Sequence, residues 1–424
     1  MPMRSARDSV SSYDARSPWT PPPTTRSMIR KLHNGHVLGV AAFAAPLMGL
    51  YAPRTTAVLV ILTAVAATSV RKYRGDTWPV PGHCAVIALA AIVVWSAISL
   101  AWTIEPLGSA ANGLARLAIM LACGMVVVEI ARRLELEERR VFHQLLLAGF
   151  ALALALVAVE RATDFPLRRH LPLRDDNPIT LMQSFNRGLT VLALSVFPVA
   201  LVLWRRSQAL ALAAWAGTLA LLATMHNAAA VTAVAFGGAF AVAAYVSPRV
   251  APIALATALL GATLVAPIAA RQIPLPAEFP LESTALSGSA HHRLMIWRFT
   301  ADRIADRPLF GWGFDASRSI PGGDAILGPG EVALPLHPHN APLQWWLELG
   351  LPGALIGVAF LTATVRAIRR AILGRTESAA AFGLMVSATV MAFVSYGIWQ
   401  SWWVAIIALS AALLTASAAR KVEP

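Results

Sequence analysis

The chain has 424 residues, 57% of them hydrophobic and only 13% charged, about half the charged fraction of an ordinary soluble domain. Lys plus Arg outnumber Asp plus Glu by 35 to 22, and in so apolar a chain a basic excess marks cytoplasmic loops before it marks a nucleic-acid binder. The two cysteines, Cys84 and Cys123, both sit inside apolar runs, which argues against a disulfide framework, a zinc site or a thiol catalyst. Residues 1–35 are polar, with Pro21, Pro22 and Pro23 among Ser, Thr and Arg, and read as a disordered cytoplasmic tail without a signal peptide. Twelve apolar stretches follow, at 36–52, 55–70, 83–103, 110–130, 141–159, 188–204, 209–225, 228–246, 251–270, 341–366, 379–395 and 398–417. A bilayer crossing needs about 20 apolar residues. The predicted fold is therefore all-α: a polytopic membrane protein with about 12 transmembrane helices, nine in 36–270 and three in 341–417, ending in a short tail at 418–424.

Charge sets the orientation. With the N-terminus inside, the loops 71–76, 131–140, 205–208, 247–250 and 367–378, with Arg366 and both tails, hold 22 of the Lys and Arg residues. The opposite face holds 12, and Arg116 lies within the fourth span. Both termini are then cytoplasmic by the positive-inside rule. Two outer loops, 160–187 and 271–340, are too long to be simple connections, so function is sought there. No internal repeat argues for an inverted-repeat transporter.

The most informative stretch is Leu336-His-Pro-His-Asn-Ala-Pro-Leu-Gln-Trp-Trp-Leu-Glu-Leu-Gly350. Asn340 is a good N-cap and Pro342 suits a first helical turn, so His339 sits at the mouth of a helix. The partial positive charge there disfavours imidazolium and leaves His339 able to accept a proton. The alternative is that His337 and His339 are surface histidines at the bilayer boundary. Glu348 lies nine residues on, about the opposite side of a straight helix, and is expected to pair with an arginine or cap backbone near Gly350. Trp345 and Trp346 read as boundary anchors.

Upstream, Ser289 to Pro308 predicts an amphipathic helix with Leu294, Trp297, Ala301 and Ile304 at helical spacing. Arg293 and Trp297, four apart, are able to present a cation and an aromatic ring together to an anionic, sugar-bearing ligand. Arg298, Arg303 and Arg307 read as solvated, partnered by Asp302 and Asp306. Arg187, in Ser184-Phe-Asn-Arg-Gly188, lies at the outer end of the sixth span, where snorkelling to headgroups is the default. Arg116 lies deeper, where a charge usually faces a cavity or a partner. Asp175-Asp176, beside Arg174, reads as a salt-bridged turn.

His339-Asn-x-x-Leu-x-x-x-x-Glu348-x-Gly350, preceded by Arg293-x-x-x-Trp297 and Pro308-Leu-Phe-Gly-x-Gly313, resembles the O-antigen ligase and polymerase superfamily of bacterial inner-membrane glycosyltransferases. The resemblance implies a GT-C-like enzyme working in the periplasm, with a glycan on undecaprenyl diphosphate as donor and a sugar of the lipid A core as acceptor. It also implies that no metal or other cofactor is used, and that His339, Arg293 and, by its Asn-Arg-Gly setting, Arg187 are the essential groups. Membrane lipids are the remaining partners; nucleic acid is not one. Cleaving a sugar–diphosphate bond without a metal needs cations on the leaving group. Arg293 and Arg187, with Arg116, are expected to clamp the diphosphate while His339 acts as base, and Trp297, His337 and Asn340 are further candidate binding residues. The rivals are a polymerase with a carrier-linked acceptor, a protein O-oligosaccharyltransferase and a transporter. The spans are almost free of acidic residues, which weighs against the last.

Overall fold

The computed structural model describes residues 32–77, 83–171, 178–274, 288–328, 331–371 and 373–418. The expected tails at 1–31 and 419–424, the Arg174-Asp175-Asp176 turn and the side chain of Cys84 lie outside the described residues. Every one of the twelve apolar stretches is a helix. In chain order they begin α1 (Asn34–Tyr51), α2 (Thr56–Arg74), α3 (His83–Ser99), α4 (Leu107–Arg132) and α5 (Leu136–Ala162). Two short helices, α6 (Pro166–Arg169) and α7 (Pro178–Ser184), precede α8 (Asn186–Trp204), α9 (Gln208–Thr224), α10 (Ala228–Val246) and α11 (Val250–Arg271). The amphipathic α12 (Gly288–Asp306) leads to α13 (Ala341–Arg370), α14 (Arg375–Val394) and α15 (Ser401–Ser417). Among the described residues, eight helices are long and apolar enough to cross a membrane, and shorter apolar segments in α3, α9 and α15 accompany them. The chain is an all-α polytopic membrane protein. A small antiparallel ribbon, β1 (Ile326–Gly328) with β2 (Glu331–Val332), which the sequence did not announce, interrupts the long loop before α13.

Helix ends follow local chemistry. Arg71, Lys72 and Arg74 crowd the last turn of α2, where the helix dipole favours cations, and Gly75 closes it in a left-handed conformation. A capping box between Glu135 and Glu138 starts α5. In α12 the helix begins one residue before the expected Ser289, and its buried stripe is Ile296, Thr300, Ala301 and Ile304.

The centre of the packing is α8. Its apolar window is 78% buried, against 22–56% for the other seven long spans, as befits a helix hydrophobic all round. It packs against α1, α9, α14 and α15. Its first turn lies so close to α1 that a methyl group added at Gly188 would fall 2.5 Å from Leu50 Cα, so only glycine lets Arg187 sit where it does. Val58, Leu62, Ile87, Ile119, Phe236 and Val242 project outward from other helices, a large exposed apolar surface of the kind lipid covers.

The two ends of the bundle differ. At one, arginines satisfy helix C-termini and carboxylates: Arg139 donates to the carbonyls of Ala416 and Ala418, Arg205 to that of Ser417 and to Glu377, and Arg74 to Glu138. At the other, residues 102–105 meet residues 310–319, and residues 395–400 meet the loop at 337–339. Thr103 donates to the carbonyl of Phe314, Trp102 to that of Phe310, and Asn227 to Asn186.

A break in α13 shapes this second end. Gly350 has φ 65° and ψ −158°, outside any helix, and Pro352 follows. The backbone groups freed there are taken up by the Pro308–Gly313 turn: Leu351 N–H donates to Pro308 O, Trp312 N–H to Leu347 O and Gly313 N–H to Glu348 O. The two glycine-bearing sequence motifs are thus halves of one contact.

Candidate functional site

The chain between the ribbon and α13 carries both histidines. His339 has φ 56°, a left-handed conformation costly for a non-glycine residue. Its surroundings hold it there. The Nδ1–H donates to Ser395 O at 2.6 Å, Trp297 Nε1–H donates to the preceding Pro338 O at 2.9 Å, and Asn340 Oδ1 caps α13 by accepting from Leu343 N–H at 3.0 Å. With Nδ1 committed as a donor, Nε2 carries the lone pair, and it has no hydrogen-bond partner among the described residues. Burial pulls the His339 pKa down to about 4; Arg293 and His292 push the same way, against the Ser395 bond.

His337 lies beside it, the ring centroids 4.1 Å apart. Its Nδ1 accepts from His339 N–H at 3.2 Å, and its Nε2 lies 2.9 Å from the Gln400 amide nitrogen, whose oxygen accepts from Trp402 Nε1–H at 3.0 Å. Burial holds His337 well below its ordinary value, helped by His339, Arg318, Arg187 and Arg293. Both imidazoles are therefore neutral near pH 7.

Two cations share this neighbourhood. Arg293, in the first turns of α12, is half-buried and has neither ion pair nor hydrogen bond among the described residues; burial lowers its pKa, as it does for any guanidinium taken out of water. Its neighbours differ: Arg298 and Arg271 meet Asp302, Arg303 meets Asp306, and Arg307 stacks on Trp312 with 4.1 Å to the ring centroid. Arg187, in the first turn of α8, lies over the Trp402 ring at 5.4 Å and meets no carboxylate among the described residues. Half-buried Tyr396 lies within the field of both arginines, and its hydroxyl is fixed on Thr190 Oγ1 at 2.7 Å and Asn186 O at 3.3 Å.

His339, His337, Arg293 and Arg187 are thus brought together. Trp297 and Asn340 serve the backbone of the histidine loop. Arg116 is elsewhere: it is exposed, its Nε–H reaches Asn112 O at 3.3 Å, and it borders a separate cavity with Asp315 and Arg318.

The segment Tyr396-Gly-Ile-Trp-Gln-Ser-Trp-Trp403 supplies partners that the sequence reading missed. It was divided between the ends of two apolar spans. The available signal was a polar Gln-Ser pair set among aromatics.

Beneath the site, Glu348 is fully buried and accepts four hydrogen bonds. Asp315 N–H (2.9 Å) and Trp399 Nε1–H (2.6 Å) reach Oε2; Gln344 Nε2 (2.9 Å) and the Ser317 hydroxyl reach Oε1. No arginine pairs with it among the described residues, so its partners are backbone and neutral side chains joining α13, the 313–319 turn and the 395–400 segment. Glu348→Ala would strand several buried donors at about 1–3 kcal/mol each. A clear drop in unfolding temperature in detergent is expected; an unchanged one would refute this role. Trp345 corrects another expectation: it is 3% exposed and packs over Gly357, so it is a core residue, whereas Trp346 ties α13 to Thr263 O at 2.9 Å.

Residues 212–358 match the family model described as O-antigen ligase, a stretch that includes Arg293, His339 and Glu348. Curated relatives carry names assigning them provisionally as polysaccharide ligases. One from Rickettsia conorii is 26% identical over 344 residues, covering 79% of each chain. One from Rickettsia felis is 28% identical over 325 residues, covering 73% of this chain and 75% of its own. A third, from Rickettsia prowazekii, reaches 35% identity over 150 residues, about a third of either chain.

Proposed function

We infer from the chain's membership of the O-antigen ligase superfamily that it is a glycan-transferring ligase, and propose that it moves a glycan from undecaprenyl diphosphate to a sugar of the lipid A core. The observation that carries the reading is one neighbourhood holding a neutral His339 with an unengaged Nε2 and two guanidinium groups without carboxylate partners. Partnerless half-buried cations suit an anionic ligand, and a diphosphate is a leaving group that needs such compensation.

In the proposed step, His339 Nε2 takes the proton of the acceptor hydroxyl. The hydroxyl oxygen bonds to the anomeric carbon as the bond from that carbon to the phosphate oxygen breaks, and the electron pair leaves with the diphosphate. A single in-line displacement inverts the anomeric configuration. Arg293 and Arg187 bind the diphosphate oxygens, while Ser395 O holds the imidazole in the tautomer the step requires. The step calls for no metal. The bundle end bearing this group is opposite the arginine-dense end, which by the positive-inside rule supports a periplasmic site and cytoplasmic termini in the inner membrane.

Deleting the gene and resolving the envelope lipopolysaccharide on a gel tests the acceptor. Long glycan accumulating on the carrier, with bare core, is the expected result. Core bearing a single repeat would point instead to a polymerase.

A further inference from the structure

The cavity bordered by Arg116 does not belong to the cluster just described: His337 lines it, but His339, Arg293 and Arg187 do not. We propose that this cavity is a second ligand subsite, taking one sugar unit that carries an anionic group, either a carboxylate or a phosphate ester.

Size is the first argument. The cavity volume is about 110 Å³, room for roughly seven to eleven water-sized particles and so for one ring with its substituents. Its polar groups are the second. Asp315 is half-buried at φ 61°, its backbone N–H spent on Glu348, and its carboxylate has no hydrogen-bond partner among the described residues. A recessed acceptor of this kind calls for donors, and vicinal hydroxyls supply them. Trp399, its N–H fixed on Glu348, forms an apolar wall of the same cavity.

Charge is the third argument. Arg116 and Arg318 stand exposed at the cavity without an ion pair among the described residues, although Asp315 lies within the field of both. Of the other carboxylates nearby, Glu348 is engaged by its four donors and Glu105 accepts from the Ser319 hydroxyl at 2.6 Å, and neither lines the cavity. Two guanidinium groups therefore face one carboxylate and a neutral His337, and the surplus positive charge matches an anion presented by the sugar.

Position makes the subsite relevant. The His337 ring on its wall is 4.1 Å from the His339 ring, so a sugar seated there brings its neighbouring hydroxyls close to the proposed base. Calling this unit part of the acceptor rests on the proposed function; the existence of the subsite does not.

The test is equilibrium binding to full-length protein in detergent micelles, followed by tryptophan fluorescence, with glucuronate, glucose 6-phosphate, glucose and inorganic phosphate as probes. At least one acidic sugar should bind about tenfold or more tighter than glucose, and which one does so tells carboxylate from phosphate ester. Arg318→Gln and Arg116→Gln should each erase most of that preference while leaving the unfolding temperature unchanged, both side chains being exposed. Equal binding of glucose and the acidic sugars, no binding of any probe, a preference surviving both substitutions, or inorganic phosphate binding as tightly as glucose 6-phosphate would each overturn the proposal. Acidic sugars binding to a protein that transfers no glycan would instead remove the proposed function and leave the subsite standing.

Discussion

Replacing His339 with alanine is expected to lower glycan transfer by about 10²–10⁴-fold, the usual contribution of a positioned general base, while the carrier-linked donor still binds. The residue is held in a backbone conformation few residues adopt by its own ring bond to Ser395 O and by bonds at its neighbours Pro338 and Asn340, and one ring nitrogen is left without a partner among the described residues. Its pH dependence gives a second readout. A histidine with its pKa near 4 is already neutral at pH 5, so kcat/KM should hold through pH 5–7 and fall only as the pH drops through about 4. An ordinary histidine would instead lose activity below about pH 6.5. A transport defect in His339→Ala without any transferase activity in the parent protein would favour the transporter reading.

Arg293→Lys is the second large effect. Lysine keeps the charge but loses the planar pair of donors that binds two phosphate oxygens at once. A charged hydrogen bond is worth about 1.5–3 kcal/mol, so transfer should fall about 10- to 100-fold, mostly in kcat if the arginine meets charge that develops on the leaving group. Unimpaired transfer by this variant would argue against the clamp. Arg298→Lys is the matched control, since Arg298 is occupied by Asp302 at 3.4 Å.

Local pattern made the spans, the helix mouth at Asn340 and the salt-bridged face of α12 legible. Each depends on residues a few positions apart, and the helix period or a capping rule reads them directly. The break in α13 was half legible: Gly350 and Pro352 announced it, but the turn that satisfies it comes from Pro308–Gly313, some forty residues earlier. Long-range partners were not legible at all. Nothing near Glu348 in the sequence names Trp399 or Ser317 as its donors, and nothing near His339 names Ser395. Arg116 shows the limit from the other side. Its depth in a span suggested a place in the diphosphate clamp, whereas the packing sets it at a separate cavity beside Asp315 and Arg318. Trp345 failed for a related reason, because a tryptophan at a span end reads as an interfacial anchor until the helix beneath it offers a glycine to cover.

The most direct measurement is transfer by purified protein in liposomes containing labelled glycan on undecaprenyl diphosphate and lipid A-core, with excess chelator throughout. Label should move to the core with the parent protein and stay on the carrier with His339→Ala. A strict requirement for added Mg²⁺ or Mn²⁺, or undiminished transfer by His339→Ala, would contradict it.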